Sequence, residues 1–388
     1  MLAGRLGNPA AVPRRRRGPT HDMVGDHPFR MSVVVPVYND QRALGQCLAA
    51  LTTACPPGTE IIVVDDASTD ESAAVGARLP VQVVRLTINA GPAAARNYGA
   101  RQARGDLLLF VDSDVVLPPG ALDHVVRRFD EHPDVAAVFG SYDANPAAEG
   151  IVSRYKNLLH HFIHQNGEAQ ASTFWAGCGA VRRSVFEDVG GFDQHRFRRP
   201  SIEDIELGYR LRRAGYRILL DRTLQGTHLK RWTFRSLLWT DVMRRAIPWS
   251  RLIMETRQPV DDLNLRGNQR LSAALIALAA ICFGLAPLWT WLTAIAAGAL
   301  LTVIMLNRHL YRFFASRGGL AFAGSCLVLH WLYYLYSGLA YLWVWTTIRR
   351  RRKRSWAASA GEEALTVARA GASRDRGDRT ARGERGGA

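Results

Sequence analysis

Three stretches of the chain, Met31–Val37 (MSVVVPV), Glu60–Val64 (EIIVV) and Leu107–Val111 (LLLFV), are apolar at nearly every position rather than at alternate ones. A strand with one wet face alternates, whereas a strand apolar throughout must be covered on both sides. The segments between these runs can supply the cover. Ala43–Leu51 has helical spacing, Pro92–Arg104 opens with a proline that costs nothing at a first helical position, and Pro119–Glu131 reads as a third helix. Val81–Leu86 and Val135–Phe139 read as further strands. The pattern predicts an α/β fold, a mostly parallel sheet flanked by helices. In such sheets ligands gather beyond the carboxyl ends of the strands. Asp65 and Asp66 follow the second run directly, and Asp112 and Asp114 follow the third.

A carboxylate at the end of a buried strand needs a cationic partner. An Asp-x-Asp pair there suits a hard divalent ion, Mg or Mn, which takes carboxylate oxygens and keeps positions for phosphate oxygens. Taken alone, Asp112 and Asp114 equally suit the aspartates that commonly end strands.

The net charge of +16 is concentrated outside this region. Arginines run from Arg14 to Arg17, a basic cluster runs from Arg349 to Arg354, and Arg374, Arg376, Arg379, Arg382 and Arg385 stud the last stretch. Tails of this kind, placed beside apolar segments, point to anionic lipid headgroups and away from nucleic acid. The five scattered cysteines include no CxxC pair, which suits a reducing compartment. Residues 1–29 form a basic leader without the apolar stretch of a secretory signal.

From Leu271 to Leu306, and again from Leu320 to Ile348, there is no Asp, Glu, Lys or Arg. The first stretch is too long for one crossing and is interrupted at Gly284–Pro287, which predicts a membrane hairpin; the second predicts a further crossing. Arg308, Arg312 and Arg317 lie between them, and the Arg349–Arg354 cluster follows. The preference of basic residues for the cytoplasm would place both clusters on one side, which a single crossing between them forbids. The topology is open at two or three crossings. Thr233–Ile253 mixes Trp, Leu, Ile and Met with Arg, as helices in the headgroup plane do. The expected organisation is a leader (1–29), a catalytic unit (30–235), an interfacial segment (236–270), membrane helices (271–348) and a basic, unordered tail (349–388).

In order along the chain stand VVVPVYND (33–40), VVDDASTD (63–70), PAAARNYG (92–99), FVDSD (110–114), GGFD (190–193) and IEDIE (202–206). This series resembles the family-2 inverting glycosyltransferases, which have the GT-A nucleotide-sugar-binding fold. The resemblance covers roughly residues 31–235. It implies a hexosyl transfer from a nucleotide-diphosphate sugar, uridine diphosphate being the commonest donor among such relatives, with Mn or Mg as cofactor.

By position, the resemblance puts Pro36 and Tyr38 at the base pocket and Asp65 and Asp66 at the nucleoside, either of the two meeting the base. Arg96 and Asn97 fall near the nucleotide. Asp112 falls at the ribose or the metal, Asp114 is the main metal ligand, and His228 of GTHLKRW approaches metal and diphosphate. Glu203 and Asp204 match the family's Glu-Asp pair, with Asp204 as catalytic base. Trp232 and Gly191 fall on the acceptor side, the other reading of Gly190 and Gly191 being a plain turn. His160, His161 and His164 lack a nearby acidic ligand, which argues against a second metal.

Processive members carry Gln-x-x-Arg-Trp after the Glu-Asp pair; here His228 stands where that Gln would be, followed by Arg231 and Trp232, which favours single addition. The expected activity is transfer to a hydroxyl of a lipid or lipid-linked glycan, in cell-envelope glycan synthesis, by a multi-pass protein of the cell membrane whose catalytic unit faces the cytoplasm. The alternatives are a polyprenyl-phosphate glycosyltransferase and a non-catalytic membrane scaffold.

Overall fold

A computed structural model describes residues 29–56, 59–256 and 266–383, with 351–383 described in backbone only. The basic leader falls almost wholly outside these residues, as does 257–265 of the interfacial segment.

Eight strands form one mixed sheet in the order β3 (Gln82–Arg85), β2 (Glu60–Asp65), β1 (Met31–Val37), β4 (Leu107–Val111), β7 (Cys178–Arg182), β6 (Val135–Tyr142), β8 (Arg217–His228) and β5 (Val115–Val116). The first four run parallel. β7 lies antiparallel between β4 and β6, β8 runs parallel to β6, and β5 pairs antiparallel with the end of β8.

The unbroken apolar runs are explained by the two cores. Successive side chains of a strand point to opposite faces. Val34, Ile62, Val64, Leu108 and Phe110 face helices α3 (Pro92–Gln102) and α7 (Glu203–Arg213). Val33, Val35, Leu107, Leu109 and Val111 face α1 (Gln41–Ala54) and α4 (Ala121–Glu131). The short helices α2 (Ser72–Ala77) and α6 (Arg183–Asp188) and the longer α5 (Ile151–Gln165) complete this unit. All five cysteines are free.

After β8 the chain forms α8 (Phe234–Trp239), a π-helical turn (Thr240–Ala246) and α9 (Ile247–Thr256). Pro248 lacks the N–H that would continue the regular ladder, which accounts for the wide turn just before it. α10 (Gly267–Leu285) and α11 (Leu292–Leu306) form a helical hairpin, and α12 (Arg308–Gly383) is broken at Gly319, whose φ is 76°. Two helices, Gly267–Leu285 and Arg308–Arg350, are long and apolar enough to cross a membrane. The backbone stays helical to Gly383, where an unordered tail was expected. Ala, Arg and Glu are good helix formers, and no proline follows Pro287.

Two glycines give opposite stability tests. A Cβ at Gly208 in α7 would sit 2.3 Å from the backbone nitrogen of Phe174, so Gly208→Ala is expected to cost about 1–3 kcal/mol. Gly45 in α1 has its nearest neighbour, Val75, at an ordinary 3.6 Å, so Gly45→Ala is expected to stabilise by about 0.8–1 kcal/mol. Thermal unfolding of the detergent-solubilised chain reads both; equal shifts would contradict the packing described.

Candidate active site

The parallel strands β2, β1 and β4 end along one edge of the sheet, and the next residue or two of each turn out over it. β4 delivers Asp112, whose amide donates to the carbonyl of Gly177 just before β7. The pairing of Val115 with His228 across β5 and β8 brings Asp114 beside the last residue of β8. His228 Nε2 lies 3.5 Å from Asp114 Oδ2, and the His228 ring stacks on Tyr142 at 4.0 Å and 8°. The amino end of α7 contributes Glu203 and Asp204.

Arg96, on the buried face of α3, joins these pieces. Its Nη2 donates to Asp112 Oδ1 at 2.6 Å and its Nη1 to Glu203 Oε1 at 3.0 Å. Burial works against its charge, but Asp112, Glu203 and Asp204 together raise the guanidinium pKa. Glu203 also accepts from the Ser201 amide at 2.8 Å. Asp204 accepts from the amides of Ala176 at 3.2 Å and Ile205 at 2.8 Å, and part of its surface remains open. Burial, followed by the charge of Glu203, pushes the Asp204 carboxyl up to about 6, against the pull of Arg96. This is a carboxylate poised to take a proton near neutral pH.

Asp114 behaves oppositely. Burial opposes its ionisation, but His228 and Lys230 hold its carboxyl below the usual range. Asp40, beyond the end of β1, is raised by burial and by Asp114. Asp40 and Lys230 therefore belong to the same charged cluster, and motif reading missed both. The signals were present: Asp40 closes VVVPVYND, and Lys230 lies two residues after His228.

The remaining assigned residues are placed less uniformly. Tyr38 is exposed beyond β1, while Pro36 is buried within it. Asp65 is fully buried, accepting from the Ser68 amide at 2.9 Å and facing Arg85 Nε at 3.3 Å. Asp66 spends both oxygens on the amides of Ala90 and Gly91, each at 2.8 Å, just ahead of α3. Asn97 is held by the backbone of Phe192 and by Gln194, and borders a separate cavity of about 410 Å³ with Arg101 and His195. Gly191 has φ 66° and packs so near Asn97 that a Cβ would lie 2.7 Å from its Oδ1. Trp232 is buried with Tyr155, Leu158 and Phe314, where the catalytic unit meets α12, and carries Lys230 over its ring at 4.9 Å. His161 and His164 donate from Nδ1 to the carbonyls of Tyr142 and Gly140. Burial keeps both neutral, a structural role.

Among the described residues no group of three or more His, Cys, Asp or Glu side chains is arranged as a metal cage. The donor types of Asp112, Asp114 and His228 nevertheless suit a divalent ion, and Asp114 and His228 already lie side by side, while Arg96 takes one oxygen of Asp112.

The family model described as glycosyl transferase family 2 matches residues 32–190. The chain is 33% identical over 219 residues to a pre-mycofactocin glycosyltransferase of Mycobacterium tuberculosis, covering 54% of this chain and 43% of that one. It is 32% identical over 167 residues to an undecaprenyl-phosphate 4-deoxy-4-formamido-L-arabinose transferase of Serratia proteamaculans, covering 41% and 50%. The chain thus spans about half the length, or less, of these curated relatives. In fold it is similar to a mannosyltransferase of Pyrobaculum calidifontis solved in complex with GDP-Man and Mn2+, with a TM-score of 0.51, 20% identity, and 81% and 87% of the two chains covered. Residues 32–190 thus match glycosyl transferase family 2, in a fold similar to that of the Pyrobaculum mannosyltransferase and of the GT-A type.

Proposed function

We propose that the protein is a membrane-bound inverting glycosyltransferase that moves a sugar from a nucleotide-diphosphate donor to a hydroxyl of a lipid or lipid-linked glycan. The observation that carries this reading is Asp204: a partly open carboxylate at a helix amino end, with its pKa raised to about 6, next to the Arg96-bridged carboxylates. An alcohol is a weak nucleophile, so a base within reach must take its proton as the bond to the anomeric carbon forms. Attack from the face opposite the leaving diphosphate inverts the anomeric centre.

Asp112, Asp114 and His228 would hold Mg or Mn, which when bound supplies positive charge to the departing diphosphate. The GT-A neighbour solved with GDP-Man and Mn2+ supports both a nucleotide-sugar donor and a divalent ion. Arg96 keeps Asp112 and Glu203 in place while remaining charged. Lys230, exposed beside Asp114, adds a cation on the solvent side.

The apolar helices support attachment to the cell membrane, with the catalytic unit on the cytoplasmic side. In α8 and the π-helical turn, Phe234, Leu238, Trp239 and Met243 are exposed among arginines, which supports an interfacial segment.

A second reading, transfer to a polyprenyl phosphate, is favoured by the likeness to the Serratia enzyme. Its acceptor is already an anion and needs no base. Asp204→Asn separates the two: with a hydroxyl acceptor, transfer of labelled sugar to lipid extract is expected to fall about 10²–10⁴-fold while donor binding persists. Retained transfer, with an acid-labile sugar–phospholipid product, would establish the second reading instead.

A pH profile tests the base independently. Asp204 must be deprotonated to act, so kcat/KM is expected to fall as pH drops through about 6, reaching about a tenth of its plateau one pH unit lower. Glu203→Gln removes the like charge that raises Asp204, so the acid limb should move to lower pH. An acid limb that stays put in this variant would remove Asp204 from the base role.

A further inference from the structure

The long segment of α12 after Gly319 packs at its start on α5 of the catalytic unit and farther along on the π-helical turn and α9. At its start, Phe322 lies under Arg154 of α5 at 4.2 Å, and Arg154 also donates to the carbonyl of Arg317 at 2.7 Å. One turn on, Cys326 is buried with Leu158 and Leu159 of α5. Tyr336 donates to Asp241 Oδ2 of the π-helical turn at 2.7 Å, and Asp241 in turn accepts from Lys156 of α5 at 2.5 Å. Near the far end, Arg251 of α9 lies over the Trp343 ring at 5.9 Å.

From Phe322 to Trp343 a helix rises about 31 Å, which is the full depth of a bilayer's hydrocarbon core, about 30 Å. Were this segment to stand across the membrane, its neighbours would be carried through with it. Those neighbours are Arg154, Lys156, Asp241, Arg251 and, beyond Arg251, the ion pair of Glu255 with Arg196. Each such charge is costly inside hydrocarbon.

The segment has two faces. Phe322, Cys326, His330, Tyr334, Ala340 and Val344 are buried against the protein. Ala321, Gly324, Val328, Leu339 and Leu342 form the opposite stripe and are exposed, Val328 by 53% and Leu339 by 58%. The stripe is exposed in two stretches, 321–328 and 339–346, on either side of the hairpin feet, and uncharged apolar patches of this kind are not water-facing surfaces. Arg317 stands at one end and Arg349 and Arg350 at the other, cations suited to anionic headgroups.

The hairpin leaves from the middle of this helix. The Tyr334 hydroxyl lies 2.7 Å from Gln269 Oε1 and 3.0 Å from Asn307 Oδ1, residues at the two feet of α10 and α11. At the hairpin tip, Leu288, Trp289 and Trp291 are exposed and uncharged.

We propose that residues 320–350 lie along the membrane surface, their outward apolar stripe set into a bilayer bearing anionic headgroups, and that the hairpin α10–α11 alone among the described helices enters the bilayer depth. Both basic clusters, Arg308–Arg317 and Arg349–Arg354, then fall on the side of the catalytic unit. The conflict that a third crossing creates for these clusters disappears.

The test uses the full chain with Cys55, the one native cysteine that is not buried, changed to Ser, in sealed phosphatidylethanolamine–phosphatidylglycerol vesicles sorted so that the catalytic unit faces outward. A membrane-impermeant maleimide is expected to label Ser373→Cys to the same extent as Ala77→Cys, a position exposed on the catalytic unit. Labelling of Ser373→Cys that appears only after detergent is added overturns the proposal. A second measurement is independent of the tail: nitroxide labels at Val328→Cys and Leu339→Cys should report equal membrane depth, whereas a crossing helix would separate them by about 16 Å. Neither readout depends on catalytic activity, so the outcome is separate from that of the proposed transfer reaction.

Discussion

The buried guanidinium of Arg96 is the interaction on which the site depends. Carboxylates at the end of β4 and at the start of α7 would repel one another in a region with little water. Arg96 sits between them and binds one oxygen of each. Removing one member of such a buried set leaves an uncompensated charge and typically costs about 3–5 kcal/mol. The same arrangement leaves Asp204 with only a distant share of the cation. With Arg96 committed to Asp112 and Glu203, burial and the neighbouring Glu203 dominate and keep its proton affinity high. One cation thereby closes the sheet edge and separates two kinds of carboxylate.

Much of this was legible before any coordinates. β1, β2 and β4 are unbroken apolar runs, and the helices between them carry clear start signals. β7 and β8 were not legible. Cys178–Arg182 is five residues with a glycine inside, and Arg217–His228 mixes buried leucines with Asp, Arg, Gln and Thr, so neither has a clean period. Asp112, Asp114, Glu203 and Asp204 could be named from motifs. That Arg96 pairs with two of them was not legible, because Asp112 and Glu203 lie 16 and 107 residues away from it and meet only once α7 docks. Trp232 shows the complementary difficulty. Its position in HLKRW points outward to an acceptor, whereas its contacts are with α5 and α12.

The join between the catalytic unit and the C-terminal helices is polar at its centre and apolar around it. Lys156, Asp241 and Tyr336 form a chain across three elements, and burial lowers the Lys156 pKa to about 8 despite its carboxylate partner. The middle member lies in the π-helical turn, a widened geometry often found at functional sites. Buried polar chains of this type fix one arrangement of packed surfaces more than they add stability. The orientation of the hairpin relative to the catalytic cleft is accordingly tied to a few hydrogen bonds.

Asp66 carries a consequence of its own. The amino end of a helix, with its unpaired amides, is the seat many nucleotide-binding folds offer to a phosphate. In this chain the two residues that lead into α3, Ala90 and Gly91, give their amides to an internal acid, one to each oxygen of Asp66. The entry to α3 is thus fastened to the end of β2 by the chain itself, and the helix that carries Arg96 is anchored from its first residue.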